Sequence, residues 1–172
     1  GAGRTLEHLQ RTGIYRALGL DYSDALLAEA VPRLISGWLV QGRAETLPLK
    51  KSFFDALFCE CVLSILTDRL AALREFARVL KEGGFLILSD VFSRGAPGQG
   101  QPEANSQGFQ TTGLLAQDDL LYLLERLGFS LLLWEEHERL LKEFVARMIL
   151  AGECLPAPWG CRQEQENWKS KR

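Results

Sequence analysis

The sequence predicts an α/β domain on a mainly parallel, doubly wound sheet with helices on both faces. Three observations predict this class. Short apolar runs typical of strands alternate with amphipathic helical patterns along the chain, and glycine ends several of the helical patterns. The runs FDALFCE and FLILSD are almost continuously apolar, as parallel strands buried on both faces are. Sheets of this kind bind ligands at the carboxyl ends of their strands.

Length and composition indicate a single ordinary domain. The chain has 172 residues and a formal net charge of -2, which gives no electrostatic case for nucleic acid or an anionic membrane as a partner. No apolar run approaches the ~18 residues of a membrane span. The four cysteines are too few and too unevenly spaced for a disulfide framework. We therefore expect a cytoplasmic protein with reduced thiols.

The first half of the chain alternates helix and strand. A helix over residues 5–12 ends at Gly13, and the strand over 14–21 ends on Asp21. Ser23 or Asp24 caps a helix over 23–35, which Pro32 kinks or shortens. A brief strand over 38–42 and a loop over 43–53 follow.

The second half repeats the alternation. A buried strand begins at residue 54, and a helix over 68–84 stops at Gly83 and Gly84. The remaining predicted elements are a buried strand over 85–92, a long connection over 93–113, a helix over 116–129, a strand over 130–137 and a helix over 138–152. The last helix should turn an inner face to the core, made of Leu140, Leu141, Phe144, Val145 and Met148. Residues 1–152 form the predicted domain, and 153–172 form a polar tail.

The first residues and Asp21 are the first candidates for ligand binding along the chain. Gly1 and Gly3 form a Gly-x-Gly turn that runs straight into a helical pattern, which lets backbone N–H groups approach a ligand. Asp21 follows twenty positions after Gly1, at the end of the next predicted strand. An acid at that spacing accepts the hydroxyl protons of a ribose in dinucleotide-type folds. The alternative is that Asp21 caps the following helix.

Four segments, taken in order, give a specific resemblance: GAGRT, GLDYS, GRAETLPLKKSFFDALFCECVLSIL and LREFARVLKEGGFLILSDVF. Over residues 1 to about 150 the chain resembles the class I S-adenosylmethionine-dependent methyltransferases that act on small molecules. The resemblance implies a Rossmann-like fold whose first strand is missing from this chain. It also implies S-adenosylmethionine as the cofactor and an unidentified small molecule as the methyl acceptor.

The resemblance also implies a set of cofactor-binding residues. The backbone of Gly1, Ala2 and Gly3 would contact the methionine end of the cofactor. Asp21 would hold the ribose hydroxyls, and Tyr22 would pack beside the adenine. The adenine-contact position holds Arg43 and Ala44, and the end of the fourth family strand, near the transferred methyl, holds Cys59 and Glu60.

Arg43 departs from the family pattern, which usually has an acid there. An arginine cannot accept the protons of the adenine amino group. The backbone of Ala44 or Glu45, or the Glu45 side chain, would then recognise the adenine.

Other polar residues near the strand ends remain open. Cys59 and Cys61 are two apart, so on a strand both thiols would face the site, although packing as small hydrophobes is the simpler interpretation. Asp90 ends a strand where it could contact substrate or serve as a polar terminus. His137 could be a general base or a helix cap. No metal site is expected, and no catalytic residue is assigned.

Two other functions fit parts of the pattern. A non-catalytic scaffold would keep the fold and bind partners, and a nicotinamide-dependent oxidoreductase also uses a glycine turn and a ribose-binding acid. The second alternative lacks counterparts for LPLKKSFFDALFCECVL and VLKEGG. Exposed strand edges in a chain without its first strand also suggest a homodimer.

Overall fold

A computed structural model describes residues 1–35, 37–92 and 116–151. These residues belong to two compact units, Gly1–Phe129 and a second that begins at Ser130. The predicted connection over 93–113 and the predicted tail over 153–172 lie outside the described residues. None of the helices in the described ranges is both long and apolar enough to span a membrane.

The first unit opens with two helices and two strands. Their bounds are α1 Arg4–Arg11, β1 Leu18–Asp21, α2 Asp24–Ala30 and β2 Trp38–Gln41. The Ser23 hydroxyl caps α2 by accepting the Leu26 N–H at 3.3 Å. Pro32 lies in a 3-10 turn, Val31–Arg33, so the helix is shortened as its sequence predicts. β1 ends on Asp21 as predicted but begins later than expected, at Leu18.

The rest of this unit repeats strand and helix. Its elements are β3 Phe54–Glu60, a 3-10 turn Leu63–Ile65, α3 Arg69–Val79, β4 Leu80–Ser89 and α4 Gln117–Arg126. β3 and β4 pair in parallel, with Phe58 opposite Ile87 and Glu60 opposite Ser89. β1 and β2 also pair in parallel, from Leu18 opposite Trp38 to Asp21 opposite Gln41. The predicted α/β class with parallel strands is confirmed.

The strands form two separate sheets instead of the single predicted sheet. β1 pairs only with β2, and β3 only with β4, among the described residues. The carboxyl ends of β1 and β3 both meet the start of the chain, since Asp21 contacts Gly1 and Glu60 contacts Thr5.

The core of this unit lies along one face of α3 and α4. The apolar positions of α3 recur every three or four residues, as a helix requires to bury one stripe. The apolar residues that are almost fully buried are Ala30, Leu63, Ala72, Leu73, Phe76, Val79 and Leu120.

The prediction that β3 and β4 are buried on both faces is wrong. Successive side chains of a strand point to opposite faces. Cys59 is 5% exposed on one face of this sheet, whereas Phe58 is 46% and Phe85 56% exposed on the other. Within the described part of the chain only one face is covered, and apolar content cannot reveal that.

The predicted stop of α3 at Gly83 and Gly84 is also wrong. The helix ends at Val79, and Leu80 already has extended backbone angles and pairs with Phe54. The N–H of Phe53 donates to the Val79 carbonyl at 2.9 Å, which draws the chain into the sheet. Gly83, at φ 72°, instead occurs within β4.

The second unit contains one described helix, α5 Glu138–Leu150, which begins after His137 as predicted. The predicted strand over 130–137 is wrong, because these residues form no strand pairing. The predicted inner face of α5 is not buried either, since Leu140 is 59% and Phe144 54% exposed. Periodicity therefore located the helix correctly but overestimated its burial.

Candidate functional site

The turn of Gly1, Ala2 and Gly3 lies where the two sheets end. The Gly1 ammonium donates to Asp21 at the end of β1, and the Thr5 hydroxyl donates to Glu60 at the end of β3, at 2.5 Å. Three separate segments of the predicted site therefore converge. Parallel sheets place their ligands at this end of their strands.

Gly3 holds this turn in a conformation that other residues rarely adopt. Its φ of 77° is left-handed, and a Cβ there would lie 2.8 Å from the Cβ of Ala30. Its carbonyl accepts the Glu7 N–H at 2.9 Å and so begins α1. Ala2 is half-buried beside it. Glycine at position 3 therefore allows both the left-handed turn and the close packing against α2.

Asp21 presents a charged carboxylate at the end of β1. Partial burial tends to raise its pKa, but hydrogen bonds from the Gly1 ammonium and the Ser23 N–H, at 2.8 Å, outweigh burial and hold the pKa below its ordinary value. A carboxylate has about four lone-pair sites, so these two contacts and a hydrogen bond from the Tyr22 backbone leave acceptor capacity. Asp21 both receives the N–H of the residue before α2 and faces the glycine turn.

Tyr22 and Arg43 meet at the ends of β1 and β2. The Arg43 guanidinium carbon lies 5.1 Å from the centroid of the Tyr22 ring, a cation–π contact. Glu45 pairs with Arg43 at 3.5 Å, and its side chain is only 13% exposed. Ala44 is half-buried between them in the turn. The predicted adenine-contact residues are thus neighbours in space.

Cys59 and Cys61 lie in different environments, so their predicted common orientation is wrong. β3 ends at Glu60, and Cys61 has a φ of 53°, which breaks the alternation of the strand. Cys61 is exposed, whereas Cys59 is buried. Burial, helped by the charge of Asp90, raises the pKa of Cys59 from 9.0 to about 12. Partial desolvation, helped by the charge of Asp90, also raises the pKa of the exposed Cys61, so both thiols are protonated at neutral pH.

Asp90 and His137 have local partners. The Asp90 carboxylate accepts the N–H of Ser64 at 2.9 Å and that of Val91 at 2.8 Å, so it fixes the turn after β3. His137 precedes α5 without a capping bond from its side chain, and its Nε2 lies 3.2 Å from Glu135. Both contacts favour structural roles for these two residues.

A polar network on α3 was not predicted from the sequence. Arg78 donates to the carbonyls of Leu47 and Leu49, at 3.0 and 2.9 Å, and Glu75 accepts the Leu47 N–H at 2.7 Å. Arg78 also pairs with Glu75 at 2.6 Å. The network anchors the segment that follows the turn of Arg43. Its only signal in the sequence is an acid and a base three residues apart on one helix.

Arg69 is a second residue that the sequence analysis missed. It is 4% exposed and donates to the carbonyls of Leu63 and Ser64, at 3.1 and 2.9 Å. It therefore holds the 3-10 turn after β3. The available signal was a charged residue on the apolar stripe of α3, one turn before Ala72 and Leu73. No cluster of metal-binding side chains occurs in the part of the chain that the structure describes.

Comparison with known proteins agrees with this geometry. Residues 1–88, which include the glycine turn, Asp21, Arg43 and Glu60, match the family described as a methyltransferase domain. The chain belongs to that family. The match includes the ends of β1 and β3 and the first residues that contact them, so the candidate site lies within the matched residues.

Relatives and solved structures of this family extend the likeness. A ubiquinone/menaquinone biosynthesis C-methyltransferase from Syntrophotalea carbinolica is 34% identical, over 51% of this chain and 44% of its own. The structure of the cyclase SpnF is 27% identical, with a TM-score of 0.65, over 78% of this chain and 50% of that one. A SAM-dependent methyltransferase from Thermotoga maritima is 26% identical, with a TM-score of 0.58, over 76% of this chain and 60% of that one. The predicted class I methyltransferase fold, Rossmann-like, is confirmed.

The chain spans less than half the length of two curated relatives that it matches, 44% of one and 36% of another. The family membership applies to the matched residues.

Proposed function

We propose that the protein transfers a methyl group from S-adenosylmethionine to a small-molecule acceptor. One observation carries the proposal. In a chain of the methyltransferase domain family, the first residues contact the carboxylates at the ends of both parallel sheets: Gly1 of the glycine turn contacts Asp21 of β1, and Thr5 of α1 contacts Glu60 of β3.

The residues present fit the proposed cofactor. The glycine turn contacts the end of β1, the Asp21 carboxylate keeps free acceptor sites for ribose hydroxyls, and the Tyr22 ring is 67% exposed. The set proposed to hold the cofactor is Gly1, Ala2, Gly3, Asp21, Tyr22, Arg43, Ala44, Glu45, Cys59 and Glu60.

The chain's own residues would act mainly by binding and orientation. S-adenosylmethionine supplies an activated methyl group on a sulfonium, so alignment and exclusion of water can provide much of the rate. Asp21 contacts Gly1 and Glu60 contacts Thr5, so the two carboxylates would orient the cofactor beside the first residues. Cys59 is buried and protonated and so is not a nucleophile at neutral pH. No residue is assigned as a general base.

The acceptor is a small molecule in this proposal. Two similar proteins are named for carbon methylation in quinone biosynthesis or for demethylmenaquinone methylation, so aromatic quinols are the first acceptors to assay. A cytoplasmic location and a homodimer also belong to the proposal.

Calorimetric titration with S-adenosylhomocysteine tests cofactor binding. We expect the protein to bind, and Asp21→Ala to weaken binding at least tenfold, because a charge-assisted hydrogen bond contributes about 1.5–3 kcal/mol. Asp24→Ala is the matched control: Asp24 begins α2, and among the described residues its carboxylate receives only the adjacent Ala25 N–H, at 2.8 Å. Failure of the unaltered protein to bind, or equal effects of both variants, would contradict the proposal.

A second assay separates binding from catalysis. The similar structure of SpnF is described as a cyclase, so the fold alone does not determine which reaction is catalysed. Transfer of radiolabelled methyl from S-adenosylmethionine to a quinol panel would support a methyltransferase. Cofactor binding without transfer to any acceptor would favour the non-catalytic scaffold, and binding of NAD alone would favour the oxidoreductase.

A further inference from the structure

The turn after β3, residues 61–65, lies at the carboxyl end of the sheet of β3 and β4. Glu60 ends β3 and contacts Thr5, directly after the glycine turn, and Cys61 follows Glu60 in the chain. Parallel sheets bind their ligands at this end of the strands. The residues proposed to hold the cofactor do not include any of this turn, so its surface can contact the methyl acceptor.

The side chains of this turn are all uncharged. Ile65 is 74% exposed, Cys61 is exposed and protonated at neutral pH, and Val62 is half-buried. Leu63 is 1% exposed and anchors the turn in the core. One exposed isoleucine is ordinary at a protein surface, so its exposure alone assigns no role. The informative observation is how firmly the turn that carries it is held.

Arg69 holds the turn from α3. Its guanidinium group donates to the Leu63 carbonyl at 3.1 Å and to the Ser64 carbonyl at 2.9 Å, and the residue is only 4% exposed. Burial of a guanidinium group is costly unless its N–H groups are paired. Its planar fork can hold two successive carbonyls in one orientation, which the compact ammonium of a lysine cannot do. Arg69 therefore fixes the orientation of the turn.

Asp90 holds the same turn from the end of β4. Its carboxylate accepts the Ser64 N–H at 2.9 Å, and the Cys61 N–H donates to the Ser89 carbonyl at 2.7 Å. Burial lowers the pKa of the Arg69 guanidinium, and the charge of Asp90 partly opposes that shift. Ser64 is thus held at its N–H by Asp90 and at its carbonyl by Arg69.

We propose that Arg69 and Asp90 are positioning residues for methyl transfer, which fix the turn after β3 so that Ile65 presents an apolar wall to the methyl acceptor. This inference rests on the proposed function and assigns the acceptor side of the site. It selects an acceptor with an apolar ring or chain, because an uncharged surface leaves a charged group without a partner. A rigid wall aligns the acceptor with the methyl group, and alignment lowers the barrier to reaction.

The first experiment measures the binding of reduced 1,4-naphthohydroquinone to the full chain saturated with S-adenosylhomocysteine. Ile65→Ala should weaken quinol binding about three- to tenfold through lost apolar contact, and Ile65→Asp should weaken it further. Ile35→Ala and Ile35→Asp are the matched controls, because Ile35 is 77% exposed but precedes β2, at the amino end of that strand. Both controls should bind the quinol normally.

The second experiment distinguishes positioning from maintenance of the fold. Arg69→Lys loses the planar fork, and Asp90→Asn keeps the shape of the side chain but loses its charge. Each should lower kcat for methyl transfer to the quinol about tenfold and leave the affinity for S-adenosylhomocysteine within about twofold. Arg69→Met has no donor and should lose more activity than Arg69→Lys. Arg74→Ala, at an exposed arginine of α3, is the matched control and should keep full activity.

Thermal melts of each variant show whether it folds. If Arg69→Met does not fold, Arg69→Lys and Asp90→Asn still decide the outcome. Equal losses of cofactor affinity and of methyl transfer in these two variants would mean that both residues only maintain the fold, which overturns the inference.

The outcomes separate this inference from the function on which it rests. If the unaltered protein binds no S-adenosylhomocysteine, or binds it and the quinol without methyl transfer, both are overturned. If it binds S-adenosylhomocysteine but no quinol, only this inference is overturned. The same holds if the Ile65 variants bind the quinol as tightly as the unaltered protein does.

Discussion

The Thr5 hydroxyl donates a hydrogen bond to the Glu60 carboxylate across 55 positions of sequence, at 2.5 Å. Thr5 lies in the first turn of α1, and Glu60 is the last residue of β3. The bond therefore connects the start of α1, directly after the glycine turn, to the sheet of β3 and β4. The same turn contacts Asp21 on the other sheet. No described strand joins the two sheets. These two contacts therefore hold the ends of β1 and β3 near the same first residues of the chain.

Thr5→Val should weaken both the fold and the site. Valine has nearly the same shape as threonine but no donor, so the variant loses the bond to Glu60 and about 1 kcal/mol of stability. We expect the affinity for S-adenosylhomocysteine to fall about fivefold, since the turn loses one of its two anchors. Chemical denaturation and calorimetry measure these effects. Thr5→Ser keeps the hydroxyl and should behave as the unaltered protein, so equal losses in both variants would contradict a role for the bond.

Gly3→Ala should destabilise the protein more than Gly13→Ala. Both glycines have positive φ, 77° and 92°, so each alanine incurs the left-handed penalty of about 1–2 kcal/mol. A Cβ at Gly3 also lies 2.8 Å from Ala30, whereas one at Gly13 meets nothing within 4 Å. The total for Gly3→Ala is therefore about 2–4 kcal/mol. Denaturant midpoints compare the two, and similar midpoints would show that Ala30 moves aside without cost.

Sequence patterns predicted the parts of the fold that depend on local chemistry. Ser23 caps α2 and Asp21 ends β1, because a hydroxyl before a helix and an acid after an apolar run act within a few residues. The convergence of Asp21, Glu60 and the first residues was expected only from the family resemblance, which implies that they contact one cofactor. The roles of these residues in binding a cofactor stay a prediction.

The parts that failed depend on contacts far away in sequence. α3 stops at Val79 because its carbonyl meets Phe53, not because of the glycines beyond it. Cys61 leaves the strand pattern because its backbone turns to φ 53° while its N–H reaches Ser89 at 2.7 Å. Apolar runs do not reveal which face will be covered, so the burial of β3 could not be read from its composition.

Alkylation should distinguish Cys59, which lies within β3, from Cys61, which follows it. Cys61 is exposed and Cys59 is 5% exposed, with a pKa raised to about 12 by burial. We expect iodoacetamide to label Cys61 in the folded protein and Cys59 only after unfolding. Labelling of Cys61 should quicken as pH rises, since partial desolvation raises its pKa too and only the thiolate reacts. Peptide mass mapping follows each site, and early labelling of Cys59 would contradict its burial.

Ionisation of Cys59 should also lower stability in alkaline solution. Its pKa is about 12 in the folded protein against an ordinary 9.0, so the unfolded chain loses the proton first. The contribution to stability is complete below about pH 9 and is lost as pH rises toward about pH 12. The difference in denaturant midpoint between the unaltered protein and Cys59→Ala should therefore shrink over that range. A difference independent of pH would contradict the raised pKa.

Glu75→Gln should destabilise the protein at neutral pH and much less in acid. The hydrogen bond from Arg78 holds the pKa of Glu75 below its ordinary 4.5, so folding favours the charged form. A carboxylate with a lowered pKa adds stability above its unfolded value and loses it as pH falls through the folded value. We expect Glu75→Gln to have a lower denaturant midpoint than the unaltered protein at about pH 7, and this difference should shrink toward about pH 3. Glu29→Gln, at an exposed position of α2, is the matched control and should show no such trend. A loss that stays constant down to acid pH would mean that Glu75 acts through its hydrogen bond from Leu47 and not through its charge.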